Sequence, residues 1–298
     1  MDQAAIRQAR SFNRTVAERI GALTDRFLGR GRPMGESRVL WEIGPEGAEL
    51  RALRARLGLD SGYASRVLRS LEREGLISVH PSADDARVRH VRLTSAGLDE
   101  YAAIDRCSDA VAWGYLEPLA SGQRTRLLRA MTEVELLLRA SMVRVAVEDP
   151  NTPDAQWCIE QYFAELNARF EGGFDFGHSG SAVLHEFAPP EGLLLIARLR
   201  GRPIGCGALK FHQGEPPDIK RLWVSPDSRG LGLGRRLLTE LERHAREAGA
   251  DAVRLDTNRV LQEAIAMYRS AGYYEIPRYN DEPYAHHWFE KRLQPGDK

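Results

Sequence analysis

The sequence predicts a chain of two domains: a mainly helical domain with a helix-turn-helix and a β-hairpin, followed by an α+β domain with a mixed sheet. At 298 residues the chain has room for two domains of ordinary size. Apolar residues recur at helical spacing through most of residues 3–141, whereas strand-like and helix-like runs alternate from residue 142 onward. Residues 51–92 carry nine arginines and five acidic side chains, although the whole chain has a net charge of zero, so a polyanionic partner is expected for the first domain.

The chain begins with a predicted amphipathic helix over residues 3–28. Its apolar side chains are three or four residues apart: Ala9, Phe12, Val16, Ile20, Leu23 and Phe27. A helix at a chain end has to bury such a stripe against another surface. We therefore expect a partner subunit to cover it.

A helix-turn-helix is predicted next. Short helices are expected over 36–44 and 48–58, with Gly58 as a stop signal, and a further helix begins near Ser61, where Asp60 or Ser61 can cap it. The last helix buries Ala64, Val67, Leu68 and Leu71 and turns outward Ser61, Tyr63, Ser65, Arg66 and Arg69. A polar, arginine-bearing second helix after a tight turn is typical of DNA-binding helix-turn-helix motifs.

A basic hairpin follows this motif. Two strands are predicted around a turn at 81–85, and Arg87, Arg89 and Arg92 lie on or beside them. Such a hairpin suits contacts with phosphates or the minor groove. Helices over 96–113 and 121–141 complete the domain and could pair with the first helix in a dimer interface.

Residues 3–141 resemble the MarR family of winged-helix transcription factors. The most specific match is "DARVRHVRLTSAG", in which Asp85, Arg87, Leu93, Thr94 and Gly97 fit the family's wing signature. The resemblance implies a homodimer that binds double-stranded, palindromic operator DNA. The implied DNA contacts are Ser61, Tyr63, Ser65, Arg66, Arg69, Arg87 and Arg89. A helix-turn-helix used only for protein contacts is the alternative.

The second domain is predicted to occupy residues 142–298, directly after a first domain of residues 1–141. The expected strands lie at the start of this region, on both sides of Gly201, before Pro226 and Asn258, and near the end of the chain. Helices are expected over 155–170, 234–249 and 262–272. The boundary holds no linker rich in glycine or serine.

The segment "RLWVSPDSRGLGLGRRLL" contains three glycines at every second position, and residues 229–234 within it are called here the glycine loop. It fails the dinucleotide fingerprint and the P-loop pattern, because Arg235 and Leu237 stand where glycines would be needed and no Gly-Lys-Ser/Thr follows. Bare amides before a helix N-terminus form an anion site suited to a pyrophosphate, with added charge from Arg229 and Arg235. A merely flexible turn between strand and helix is the alternative.

The glycine loop fits Arg/Gln-x-x-Gly-x-Gly/Ala, and residues 142–293 resemble the GNAT superfamily of N-acetyltransferases. The strand "KRLWV" and the helix "AIAMYRSAGYYE" lie around it in the family's order. The resemblance implies acetyl-CoA as co-substrate and a small-molecule or peptide amine as acceptor. The implied CoA contacts are Leu222, Trp223, Val224, Arg229, Gly230, Leu231, Gly232, Leu233, Gly234, Arg235 and Asn258.

The catalytic residues are also implied by this resemblance. Tyr268 stands at the family's usual general-acid position, with a core aromatic residue as the alternative interpretation. Asp218 falls where some members carry a carboxylate base that acts through water, although a solvated turn aspartate would look the same. The backbone N–H of Val224 is the best candidate to polarise the acetyl carbonyl. Leu261 departs from the family, many of whose members have asparagine there.

No metal site is predicted, because the spacing of the candidate histidines fits no ligand set; these are His178, His185, His286 and His287. The three cysteines form no CxxC motif, the N-terminus lacks the apolar core of a signal peptide, and no apolar run could span a membrane. A cytoplasmic location is therefore expected.

The combined hypothesis is a bifunctional DNA-binding regulator and acetyl-CoA-dependent N-acetyltransferase, in which the amine attacks the acetyl group directly. One alternative is a regulator whose second domain only senses acyl-CoA or another ligand. Another is an enzyme whose winged helix serves only to dimerise.

Overall fold

A computed structural model of the protein describes residues 2–21, 27–82, 88–170, 172–174 and 184–293. These residues form two compact units, Met1–Thr132 and Glu133–Lys298, which are described separately below. The division lies within the helix that ends the first predicted domain. The boundary between residues 141 and 142 stays a prediction.

The first unit is mainly helical. Its elements are α1 (Gln3–Arg19), α2 (Met34–Ile43), β1 (Ala48–Glu49), α3 (Leu50–Leu57), α4 (Ser61–Arg73), β2 (Ile77–Pro81), β3 (Arg89–Leu93), α5 (Ser95–Leu116) and the start of α6 (Ser121–Ser141). The strands form one antiparallel sheet in the order β1-β3-β2. Leu40, Leu71 and Val91 are fully buried in the core between this sheet and the helices.

The turn between α3 and α4 follows the predicted capping. Gly58 ends α3 with a left-handed φ of 63°, and Asp60 caps α4 by accepting a hydrogen bond of 2.9 Å from the backbone N–H of Tyr63. Such a cap stabilises a helix by about 1 kcal/mol. The predicted inner face of α4 is buried, which leaves the opposite face of the helix to solvent.

The first helix is shorter than the sequence predicts. The apolar spacing predicts a helix to residue 28, but α1 ends at Arg19, and Gly21 has a left-handed φ of 68°. Glycine adopts this conformation at little cost, so it stops the helix although the apolar pattern continues.

The second unit is built on one mixed sheet. Its elements after the end of α6 are β4 (Arg144–Glu148), α7 (Pro153–Arg169), β5 (Gly192–Leu199), β6 (Arg202–Lys210), β7 (Asp218–Val224), α8 (Leu233–Glu247), β8 (Ala252–Thr257), α9 (Gln262–Ser270), β9 (Tyr274–Ile276) and β10 (His287–Arg292). The strand order is β4-β5-β6-β7-β8-β10-β9. Only the β7–β8 pair is parallel among the described strands.

Helices cover both faces of this sheet. The apolar faces of α8 and α9 pack on one side, where Leu237, Leu241 and Ile265 are buried. Helix α7 packs on the other side, where Cys158 and Phe163 are buried. Strands covered on both faces read as nearly continuous apolar runs, as β5 does.

The strand β7 is bent away from its parallel neighbour. Arg221 has a left-handed φ of 56°, and the register with β6 shifts between Cys206 and Ala208, which together mark a β-bulge. In the described chain, β7 and β8 are in register only at Asp218 and Arg254. The two strands therefore diverge beyond this pair, and a fork opens along the second half of β7.

Candidate functional site

A cavity of about 560 Å³ opens beside this fork. It is bordered by the end of β7, the glycine loop, the first turn of α8, and side chains of α7 and α9. The lining residues include most of the predicted CoA contacts, namely Leu222, Trp223, Val224, Arg229, Gly230, Gly232, Leu233, Gly234 and Arg235, together with Tyr268.

The glycine loop leaves the N-terminus of α8 uncapped. Gly230 and Gly232 have left-handed φ values of 82° and 69°, and α8 begins after Gly232 with no hydrogen bond from a capping side chain. The first N–H groups of a helix have no partner within the helix, and the helix dipole adds partial positive charge there. The loop and α8 therefore offer backbone donors to an anion in the cavity.

The two arginines of this region differ in their partners. The guanidinium of Arg229 donates hydrogen bonds of 2.6 Å to both carboxylate oxygens of Glu165. Arg235 donates to the hydroxyl of Ser270 and has no carboxylate partner among the described residues. The charge of Arg235 is thus available to a bound anion, whereas that of Arg229 is already paired.

Tyr268 lies on α9 at the wall of the cavity, and only 6% of its surface is exposed. Burial, with further contributions from Tyr162 and Asp256, raises the pKa of its phenol above the usual tyrosine value. The hydroxyl therefore stays protonated at neutral pH and can donate a proton or hydrogen bond to a group in the cavity.

Glu165, on α7, joins several parts of the cavity wall. Besides Arg229, it accepts hydrogen bonds from the indole N–H of Trp223 at 2.9 Å and from Arg169 at 3.2 Å. Burial alone would raise the pKa of this carboxyl, but the hydrogen bonds from Arg229 and Trp223 outweigh it, and the pKa lies below its usual range. The carboxylate is therefore charged at neutral pH.

The cavity lining does not include Asp218. Its carboxylate is buried at the start of β7, 3.3 Å from His212 and 3.7 Å from the ammonium of Lys220, which also pairs with Asp256. Burial lowers the pKa of Lys220, but the two aspartates outweigh it and the pKa is raised, so the ammonium stays charged. This arrangement favours a structural ion pair over the predicted role of Asp218 as general base.

Two predicted CoA contacts also lie outside the cavity lining. Asn258 is buried, donates a hydrogen bond of 2.7 Å to the carbonyl of Tyr284 and accepts one from the N–H of Val260. Leu231 is partly buried against the core beneath α8. The amide of Asn258 is thus used to hold its own loop.

Several cavity residues had no prediction from the sequence: Tyr162, Glu165, Leu166, Arg169, Glu263 and Met267. Four of them are on α7 at spacings of three or four, which is the only sequence signal that they share one helix face. That spacing does not tell which element the face meets.

The predicted DNA-contact residues of the first unit occupy one side of α4. Ser61, Ser65, Arg66 and Arg69 are exposed there, and Arg89 is exposed on β3. Tyr63 is partly buried, and the guanidinium of Arg66 lies 5.9 Å from the centre of its ring. Asp85 and Arg87 of the wing signature lie outside the described residues.

Two helices of this region have no buried residue, namely α1 and α6. Their exposed apolar side chains include Phe12, Val16, Leu128 and Met131. These apolar side chains are therefore open to solvent in the described parts of the chain.

Within the described parts of the chain, no helix combines the length and apolar character of a membrane span. The same residues contain no cluster of three or more histidine, cysteine or acidic side chains that could hold a metal ion. His178, one of the histidines weighed for a metal site, lies outside them.

Comparisons with known proteins agree with both predicted resemblances. The family model described as "Acetyltransferase (GNAT) family" matches residues 159–273, and the model "MarR family" matches residues 30–88. These matches, with the elements described above, confirm the predicted fold class and the fusion of the two families.

Individual relatives match the second unit. An IAA acetyltransferase from Azospirillum brasilense is 40% identical over 133 residues, which are 44% of this chain and 84% of that protein. A mycothiol acetyltransferase from Paenarthrobacter aurescens is 34% identical over 129 residues, or 42% of this chain, and the chain spans only 40% of that relative's length. Among solved structures, a GNAT acetyltransferase from Staphylococcus aureus Mu50 matches with 15% identity and a TM-score of 0.45, covering 51% of this chain and 99% of its own.

Proposed function

Because the chain belongs to the GNAT family of acetyltransferases and also carries a MarR-family domain, we propose that it is both a DNA-binding transcriptional regulator and an acetyl-CoA-dependent N-acetyltransferase. The acceptor is a small-molecule or peptide amine that attacks the acetyl group directly. The observation that carries the enzymatic half is the cavity that Tyr268 shares with an uncapped helix N-terminus.

The residues of the cavity fit acetyl-CoA. The glycine loop and the first turn of α8 offer backbone N–H groups for the pyrophosphate, and Arg235 adds a positive charge that has no carboxylate partner among the described residues. Leu222–Val224 run along the open fork, where their backbone can bind the pantetheine amides. A site volume of about 560 Å³ is in the range of ordinary ligand pockets.

Two groups of the chain are assigned to the reaction. When bound, acetyl-CoA supplies the activated acetyl thioester. We assign the backbone N–H of Val224, at the end of β7, to polarise the acetyl carbonyl, because a fixed donor stabilises developing negative charge. Tyr268 protonates the departing sulfur, because its raised pKa keeps the phenol in the acid form.

The regulatory half rests on the first unit. Arg66 and Arg69 are exposed on the polar face of α4, opposite its buried apolar residues, and Arg89 is exposed on the hairpin. We assign this face to double-stranded DNA, and the exposed apolar stripes of α1 and α6 to a homodimer that reads a palindromic operator. A DNA partner makes a cytoplasmic location the expectation.

The deciding experiment measures acetyl transfer by the full chain. The protein is incubated with acetyl-CoA and a panel of amino acids, polyamines, aminoglycosides and peptides with free N-termini, and free thiol and acetylated product are quantified. Transfer to at least one amine is expected. Binding of acetyl-CoA without transfer to any amine would instead favour the alternative of a ligand-sensing domain, and absence of binding would contradict both.

A further inference from the structure

One carboxylate on α7 connects the end of β7 and the glycine loop on the cofactor side of the cavity. Each oxygen of Glu165 accepts two hydrogen bonds: Oε1 from Arg229 and Arg169, and Oε2 from Arg229 and the indole of Trp223. Only about a fifth of the glutamate side chain is exposed, at 21%. In the pair with Arg229 a single nitrogen, Nη2, donates to both oxygens, and such charge-assisted hydrogen bonds are stronger than those between neutral groups.

Two partners of this carboxylate, Trp223 and Arg229, belong to the segment that is assigned to acetyl-CoA. Trp223 is flanked by Leu222 and Val224, whose backbones run along the fork. Arg229 begins the glycine loop, and its Nε also lies 3.4 Å from the carbonyl of Val224. A single carboxylate thus holds the end of β7 and the start of the glycine loop against the same helix.

A second ion pair holds that helix to the opposite wall. Arg169, one helical turn after Glu165, donates hydrogen bonds of 2.9 Å to Glu263 and 3.0 Å to the carbonyl of Val260. Glu263 is in the first turn of α9, the helix of Tyr268. The chain of contacts therefore runs from the glycine loop through α7 to the helix of the general acid.

We propose that Glu165 is a positioning residue for the acyl-CoA site, acting through Arg229 and Trp223. It holds the glycine loop and the edge of β7 in their binding geometry before the cofactor arrives. This assignment rests on the proposed acetyl-CoA function. Holding a site in place in advance improves affinity because less ordering remains to be done on binding.

A role of Glu165 as general base is disfavoured by the same contacts. Both of its oxygens accept from arginine, so its lone pairs are directed at fixed cations, and protonation would break these pairs. A positioning residue and a base differ in their kinetics. Loss of positioning raises KM for acetyl-CoA, whereas loss of a base lowers kcat and alters the pH profile.

The test is a double-mutant cycle on the full chain with Glu165→Gln, Arg229→Gln and the double variant. Glu160→Gln is the matched control, because Glu160 is an exposed glutamate on the same helix. Acetyl-CoA affinity is measured by calorimetry, kcat and KM by thiol release, and folding by thermal melting. The indole N–H resonance of Trp223, assigned by its loss in Trp223→Phe, reports the hydrogen bond to Glu165 directly.

We expect Glu165→Gln and Arg229→Gln each to weaken acetyl-CoA binding ~10-fold, with kcat changed by less than ~3-fold. The double variant is expected to be no weaker than either single variant, because both remove the same interaction. The Trp223 resonance should shift in Glu165→Gln and stay in place in Glu160→Gln. If Glu165→Gln folds poorly, Arg229→Gln still tests the same ion pair, because Arg229 is its more exposed member.

Three outcomes would each overturn the assignment of Glu165. Glu165→Gln could bind acetyl-CoA as tightly as Glu160→Gln does, the effects of the two single variants could add in the double variant, or kcat could fall at unchanged KM. Failure of the unmodified protein to bind acetyl-CoA would overturn the proposed function itself. The two kinds of failure are therefore distinguishable.

Discussion

The thiol of Cys206 donates a hydrogen bond of 3.2 Å to the backbone carbonyl of Arg221. Arg221 is the residue of β7 with a left-handed φ of 56°, a conformation that costs a residue with a side chain about 1 kcal/mol. The sulfur on β6 satisfies a carbonyl that the β-bulge removes from the regular ladder. This contact between β6 and β7 therefore lies at the bulge where the proposed cofactor fork opens.

Replacing Tyr268 with phenylalanine removes the proposed acid and little else. We expect kcat for acetyl transfer to fall by about 100-fold at unchanged KM for acetyl-CoA, because a positioned acid contributes about 10²–10⁴-fold. In the unmodified enzyme, burial raises the pKa of this phenol, so its deprotonation should cause no loss of rate below about pH 10, the usual tyrosine value. Steady-state kinetics over a pH series checks both. Tyr274→Phe, at an exposed tyrosine, is the control, and full activity of Tyr268→Phe would exclude the acid role.

Arg235 is expected to contribute direct electrostatic binding energy. Arg235→Ala should weaken acetyl-CoA binding by ~10-fold at low salt, and the loss should shrink at high salt as the charge is screened. Calorimetry at two ionic strengths measures this. Arg243→Ala, at a partly exposed arginine farther along α8, provides the comparison, and equal binding by both variants would contradict the assignment of Arg235.

Two glycines that flank α8 allow the backbone of the proposed anion site to be tested by itself. Gly232 and Gly249 both have left-handed φ values, 69° and 87°, and a Cβ added at either would meet no atom within 4 Å. Alanine at each should therefore cost a similar ~1 kcal/mol of folding free energy from the backbone alone. Only Gly232→Ala should also weaken acetyl-CoA binding, because only that residue begins the helix at the cavity. Equal affinities for the two variants would argue against an anion site there.

The proposed DNA-binding face predicts a change in salt dependence. Arg66→Ala should weaken binding to duplexes selected from a random library by the unmodified protein, and should reduce the slope of log K against log salt by about 1. Fluorescence anisotropy at several salt concentrations measures the slope. Arg129→Ala changes an exposed arginine on α6 and should leave the slope unchanged. If both variants bind DNA equally, α4 is not the contact surface.

An ion pair at the edge of the large sheet predicts sensitivity to acid. The hydrogen bonds from Arg198 outweigh burial and hold the pKa of Glu148 below its ordinary value. A carboxyl with a depressed folded-state pKa stabilises the protein above its unfolded pKa of about 4.5 and loses that contribution as pH falls through the folded value. Glu148→Gln should therefore cost about 1 kcal/mol at pH 7 and progressively less below pH 4. Urea unfolding at pH 7 and below pH 4, with Glu160→Gln as control, measures the free energy of unfolding. An equal loss of this free energy under both conditions would contradict the ion-pair account.

Local signals in the sequence predicted the fold well. Gly58 can adopt a left-handed conformation and Asp60 can cap a helix, so the sequence predicts a helix end and a helix start there, and the structure has both. The predicted end of α1 was wrong because the apolar spacing continues past Gly21, whereas the helix ends before it. Strands of two or three residues, such as β1 and β9, were missed because so short a run has no visible period.

The parts of the site that carry a local sequence motif were predictable. The glycine loop, Leu222–Val224 and Tyr268 line one cavity, and each has a signature in the sequence. Glu165 has none, since a glutamate on an amphipathic helix looks like any solvated charge until Arg229 and Trp223 are placed beside it. Asp218 is the reverse case: its position matched a family pattern, but its ion pairs with His212 and Lys220 could not be predicted from spacing.

The N-terminus of α8 has no capping side chain, so its first backbone N–H groups lack a side-chain partner. A serine or aspartate in place of Gly232 would cap the helix and stabilise the fold by about 1 kcal/mol. That side chain would also occupy the backbone N–H groups that are proposed to bind a phosphate. If the pyrophosphate supplies the missing cap, the cofactor becomes a structural component of the fold, and heat resistance should rise with its concentration. The thermal stability of the protein and the concentration of its cofactor would then be linked by one binding equilibrium.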